Sequence, residues 1–145
     1  LPHFNPDLDG ENAVPPPAVG DLRRRVRCAD ALLICSPEYA HGVPGALKNA
    51  LDWLVSVPDV IAKPVGLVNA SPRATYAHAA LVETLRTMSL TVVPDASIAM
   101  PLTGRALSAA DIARDPELAT ALLDVIEVLV RAAAEYRVAQ QRGAP

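Results

Sequence analysis

The apolar run Ala31-Leu32-Leu33-Ile34-Cys35 contains no polar residue, and a polar loop, Ser36 to Pro44, follows it directly. A strand with one wet face alternates apolar and polar side chains. An unbroken run predicts burial on both faces, the condition of a parallel strand roofed by helices on either side. After the loop, Leu47, Leu51 and Leu54 recur at helical spacing, with Ala50 beside them. Strand, loop and helix in that order form the repeating unit of an α/β sheet. Ligands of such sheets bind beyond the carboxyl ends of the strands, so Ser36 to Pro44 is the first place to look for a site.

The unit recurs along the chain. Residues 1 to 17 are rich in proline, with Asn5, Asp7, Asp9 and Gly10 among them, and predict an extended surface loop. A helix starts near Pro16 or Pro17, where proline suits a first turn, and Val19, Leu22, Val26 and Ala29 form its inner stripe. Pro64 to Ala70 predicts a second buried strand, and Ser71 to Thr75 a loop entering a helix over roughly 75 to 89 with Leu81, Leu85 and Met88 inward. Leu90 to Val93 is a third strand, continued or flanked by Ser97 to Met100. Ser108 or Asp111 caps a short turn, and Asp115-Pro116-Glu117 opens a last helix that runs to about Gln140. Right-handed crossovers would place these helices on both faces of a parallel sheet.

Composition narrows the function classes. The chain has 145 residues, 51% of them apolar, with a net charge of −3. That supports a packed core and gives no electrostatic case for binding nucleic acid. The one basic cluster, Arg23-Arg24-Arg25 with Arg27, spreads around a helix as a solvated face. Cys28 and Cys35 form neither a disulfide framework nor a zinc pattern, which fits small apolar residues in a reducing compartment. His3, His41 and His78 lack metal-ligand spacing. No apolar run has the ~20 residues needed to span a bilayer. Neither a P-loop nor a Gly-x-Ser-x-Gly motif is present.

The stretch Ser36-Pro37-Glu38-Tyr39-Ala40-His41-Gly42, continued by Val43-Pro44-Gly45-Ala46-Leu47-Lys48-Asn49 and then Asp52-Trp53, resembles the Pro-Glu-Tyr loop of the NAD(P)H-dependent FMN reductases. These are the flavodoxin-like quinone, azo and chromate reductases. The resemblance implies an α/β, flavodoxin-like three-layer sandwich whose parallel sheet has the order 2-1-3-4-5. Leu1 to Asp7 resembles the family segment that follows the second strand. Residues 1–145 would then be a single flavodoxin-like domain, incomplete at its N-terminus, with the first two strands and the phosphate loop upstream of Leu1. The implied cofactors are FMN and NAD(P)H. The implied reaction passes hydride from NAD(P)H through bound FMN to a quinone, azo compound, metal oxyanion or free flavin.

The resemblance also implies the cofactor-binding residues: Pro37, Glu38, Tyr39, Ala40, His41 and Gly42 along the flavin ring, and Ser71, Pro72 and Arg73 from the second loop. Two departures stand out. The family commonly has Asn where this chain has Ala40, and often glycines where it has Arg73 and Ala74. Glu38 is read as a loop-anchoring carboxylate rather than an acid or base, because hydride transfer is chemistry of the cofactors. His41 is either a hydrogen-bond donor to a reduced ring oxygen or a plain surface histidine. Trp53 is either an interface anchor or a core residue. A homodimer or homotetramer in the cytoplasm, acting on a small-molecule electron acceptor with no nucleic acid and no membrane, completes the expectation. The rival is a non-enzymatic flavodoxin-like remnant that binds no cofactor and works by association.

Overall fold

Pro17 opens the first helix, α1, Pro17–Cys28, where a missing N–H and a preset φ cost nothing. The computed structural model describes residues 1–10, 12–102 and 104–143. After α1 come β1, Leu32–Ser36; α2, Gly45–Asp52; β2, Pro64–Asn69; α3, Thr75–Thr87; β3, Thr91–Ala99; α4, Ala109–Arg114; and α5, Pro116–Gly143. The strands form a three-stranded parallel sheet in the order β1-β2-β3.

Helices cover the sheet unequally. On one face Val26 of α1, Leu51 of α2, and Leu81 and Leu85 of α3 pack with Val65 and Leu67 of β2, and Leu32 and Ile34 of β1 join them. On the other face α5 lies over β2 and β3: Leu118 meets Val68, while Val125 and Leu129 meet Ala96. All six residues of β2 are buried. Burying a side chain such as Leu67, 1% exposed, contributes about 1.5–3 kcal/mol.

β3 is one strand of nine residues rather than two short pieces. Val65 pairs with Val92, yet Leu67 pairs with Ser97, so β3 carries extra residues opposite Gly66. Pro94 falls in this bulge, where the ladder asks for no N–H. Gly66 is required there: a Cβ would stand 2.8 Å from the Ala96 carbonyl oxygen.

β1 departs from the expectation of burial on both faces. Its residues alternate between half-buried and exposed, and Leu33 is 44% exposed. Cys35 and Cys28 are both exposed free thiols, so Cys35 is not buried as its apolar strand predicts. The reason is position. Among the described residues β1 pairs only with β2, and α5 does not reach over it. α5 leaves Leu123, Ile126 and Val130 exposed, and the Arg137–Asp30 pair at 3.4 Å links it to the residues before β1.

One open alternative is decided and one expectation is corrected. Trp53 is fully buried within the chain, which is the core alternative. Phe4 meets its ring edge-on at 5.0 Å between centroids, and its indole N–H donates to the Pro2 carbonyl at 3.0 Å. Asn49 braces the same segment, accepting from Phe4 N at 2.7 Å and donating to Pro2 O at 2.9 Å. Arg23 is not part of a solvated basic face: it donates to the Trp53 carbonyl and pairs with Asp9. Arg24 and Arg25 do lie at the surface, both paired with Asp21. The proline-rich start is therefore tied down by α1 and α2 from below, although its residues are mostly exposed.

The remaining helix ends follow their capping chemistry. Ser108 and Asp111 form a reciprocal capping box at α4. The Asp115 carboxylate accepts from Glu117 N and Leu118 N at the start of α5, each at 3.1 Å. Those bonds hold the Asp115 carboxyl below the usual carboxylate range. Lys63, just before β2, donates its ammonium to the Val26 and Ala29 carbonyls at the end of α1. Burial pushes its pKa down from the ordinary lysine value.

Candidate functional site

The carboxyl ends of β1 and β2 lie side by side, because Ser36 pairs with Asn69. The loops that leave them therefore share one end of the sheet. Pro37, Glu38 and Tyr39 from the first loop and Ala70, Ser71, Arg73 and Ala74 from the second line a single cleft of about 270 Å³. Pro72 lies on the other side of its loop, lining a hollow with Asn69, Thr75 and His78.

The first loop is a tight turn. Tyr39 N donates to Gly42 O at 3.1 Å, and Gly42 N donates to Tyr39 O at 2.8 Å. The two central residues, Ala40 and His41, have φ of 48° and 60°. Positive φ at both centres is the pattern of a type I′ turn, which favours Asn and Gly. A residue with a Cβ in this region costs about 1–2 kcal/mol. The Asn that the family commonly carries at position 40 thus has a backbone rationale as well as a side-chain one, and Ala40 forgoes it.

Two contacts brace this turn against α3. The Glu38 carboxylate accepts from Ala77 N at 2.8 Å. α3 lacks a side-chain cap of its own, so Glu38 supplies from another loop what an N-cap residue would supply. The positive end of the helix dipole is thus met by the chain's own carboxylate. The His41 ring stacks on Tyr76, with centroids 4.3 Å apart and planes 18° from parallel. Tyr39 and Tyr76 are both largely exposed.

The second loop is organised by Asn69, which is buried at the tip of β2. Its Oδ1 accepts from Ser71 N at 3.1 Å, an Asx turn, and its Nδ2 donates to Ala74 O at 2.8 Å. Ser71 Oγ accepts from Arg73 N at 3.3 Å. Among the described residues the Arg73 guanidinium makes no hydrogen bond or ion pair. Asn69 and Tyr76 were not expected as site residues. Asn69 had a signal, a polar residue closing an apolar strand two positions before a serine. Tyr76 had none, since its role depends on where His41 sits.

The donor set fits a flat, polar-edged ligand. Among the described residues the backbone N–H groups of Glu38, Ala40 and His41 donate to no protein atom. Unpaired amides at a strand tip, an exposed aromatic ring and a free guanidinium are what such a ligand needs in donors and walls. No helix among the described residues is long and apolar enough to cross a membrane.

Three parallel strands between helices, with two loops converging at their carboxyl ends, define a flavodoxin-like α/β sandwich. A solved structure supports that class: the flavoenzyme NAD(P)H:acceptor oxidoreductase FerB of Paracoccus denitrificans is similar, with a TM-score of 0.74 and 28% identity over 94% of this chain and 76% of that one. Residues 1–104 match the NADPH-dependent FMN reductase family, and the chain belongs to it. A quinone reductase of Escherichia coli K12 is 40% identical over 73 residues, 49% of this chain and 38% of the relative. An NAD(P)H-dependent FMN reductase of Pseudomonas aeruginosa is 45% identical over 73 residues, with the same coverage of 49% and 38%. The matched part is thus well under half the length of these two reductases.

Proposed function

We propose that this chain binds FMN between its two strand-tip loops and serves an NAD(P)H-dependent reductase whose acceptor is a quinone or a related small oxidant. The observation that carries the reading is the shared cleft of about 270 Å³, walled by Pro37, Glu38 and Tyr39 on one side and Ser71 and Arg73 on the other. Family membership and the names of the relatives support it. When bound, FMN supplies the hydride relay between NAD(P)H and the acceptor.

The chain's own residues bind and orient. The amides of Glu38, Ala40 and His41 offer donors to the polar edge of the ring. Tyr39 offers a flat wall. Gly42 closes the turn and allows the chain to enter α2. Ser71 and Arg73 complete the opposite side, with Arg73 free to meet negative charge, while Pro72 faces the neighbouring hollow and only shapes the loop. Azo compounds and metal oxyanions as further acceptors, a homodimer or homotetramer, a cytoplasmic setting and a single domain over 1–145 belong to the same proposal.

A fluorescence titration of FMN into the purified chain tests it, with NAD(P)H oxidation followed in the presence of a quinone. Saturable quenching and quinone-dependent turnover are expected. Tyr39→Ala should weaken FMN binding by about 1–3 kcal/mol if the ring stacks there. A colourless chain that takes up no added FMN would overturn the reading and favour the association module instead.

A further inference from the structure

The turn at Tyr39–Gly42 holds two consecutive residues with side chains at positive φ, Ala40 and His41. Its two internal hydrogen bonds join only Tyr39 to Gly42. They close the turn but do not orient it against the rest of the molecule. That orientation comes from consecutive residues of α3: Tyr76, whose ring lies 4.3 Å from His41, and Ala77, whose N–H is held by Glu38 at 2.8 Å. One contact grips the loop before the turn and the other grips its tip.

The free amides of Glu38, Ala40 and His41 lie between or at these grips. Their direction relative to the cleft is therefore set by the first turn of α3. Tyr76 is 62% exposed, so its ring does little for the core. Among the described residues its one ring contact is the stack on His41.

We propose that Tyr76 is a positioning residue for the flavin site, acting through His41 to hold the amides of the 37–42 loop in register with the cleft. This role rests on the proposed FMN binding and adds a residue outside the loops that line the cleft. The chemistry is simple. An aromatic stack fixes the plane of the His41 ring, and the ring in turn fixes the strained backbone that carries it.

The test uses Tyr76→Phe, which keeps the stack, Tyr76→Leu, which removes it, His41→Ala, and the double variant Tyr76→Leu with His41→Ala. Proton–carbon NMR of the His41 ring reads the stack directly, and FMN titration reads the positioning. The His41 ring protons should carry an upfield ring-current shift that Tyr76→Phe retains and Tyr76→Leu abolishes. The FMN dissociation constant should rise roughly 3- to 10-fold in Tyr76→Leu, the size expected for one aromatic pair. It should stay within about 2-fold in Tyr76→Phe. The double variant should bind no worse than the weaker single one, because both act through one contact. Urea unfolding of each variant identifies any that fails to fold, and Tyr76→Phe then decides, since loss of binding with the stack intact overturns the role. A ring shift indifferent to Tyr76→Leu overturns the proposal. So does a lost shift with unchanged FMN affinity, or losses that add in the double variant. A wild-type chain that shows the ring shift but binds no FMN overturns the flavin reading, and with it leaves Tyr76 a structural contact only.

Discussion

β1 and β2 are neighbours in register, with near-equal apolar character, and they end in different environments. Leu32-Leu33-Ile34-Cys35 is if anything the more hydrophobic, yet it alternates between half-buried and exposed, whereas Pro64–Asn69 is buried throughout. Hydrophobicity sets what a strand can bury. The layers above and below set what it does bury, and α5 covers β2 and β3 but not β1. The same contrast reaches the site. The loop after β2 is organised by a buried side chain of the strand itself, Asn69, and the loop after β1 leans on α3.

The widest gap should appear between leucines of the two neighbouring strands. Leu67→Ala, at a position 1% exposed, is expected to cost about 2–5 kcal/mol in urea unfolding. Leu33→Ala, 44% exposed, should cost less than about 1 kcal/mol. Similar costs at the two positions would break the comparison.

Next comes the pair that faces across the ladder at Leu33 and Gly66. Gly66→Val should destabilise by about 1–3 kcal/mol, because the added Cβ meets the Ala96 carbonyl at 2.8 Å. A neutral outcome would mean that the bulge in β3 yields to the side chain.

At the strand tips, Asn69→Ala should cost about 1–3 kcal/mol by unpairing Ser71 N and Ala74 O. Ser36→Ala removes only an exposed bond to the Pro37 carbonyl and should stay within about 0.5 kcal/mol. Thermal melts of the two variants measured together would sharpen or dissolve the difference.

The smallest effect concerns the entries to the strands. Lys63 before β2 has its pKa lowered by burial, so in the alkaline window below 10.5 the unfolded chain holds the proton that the folded chain gives up. Stability should therefore rise with pH across that window, and Lys63→Met should flatten the rise. Asp30 before β1 forms an exposed pair with Arg137, and Asp30→Ala should change little. A flat wild-type profile from pH 8 upward, read by urea midpoints, would remove Lys63 from this contrast.

Much of this was legible in the residues. The order of strands and helices, the caps at Ser108 and Asp115, and the position of the first loop at a strand tip follow from periodicity and local chemistry. The exposure of Leu33 was not legible, since it depends on where α5 ends in space. Whether Ser97 to Met100 continued or flanked the third strand stayed open in the residues, and the bulge that accommodates Pro94 makes β3 one strand. The placement of both loops of the candidate site at strand tips was legible from their place in the chain. The bonds that hold them were not, because Glu38 to Ala77 and His41 to Tyr76 join segments more than thirty residues apart. Arg23 was misread for the same reason: its partners, Asp9 and the Trp53 carbonyl, lie on other segments.

The chain has a single tryptophan, and that residue is sealed beneath its own first residues, its N–H held by Pro2 and its ring edge-on to Phe4. Intrinsic emission is thus an optical gauge of that docking. If residues 1–9 peel away before the sheet melts, the spectrum will shift red and acrylamide will quench it while far-UV circular dichroism holds steady. A coincident change would instead make the proline-rich start part of the same cooperative unit as β2.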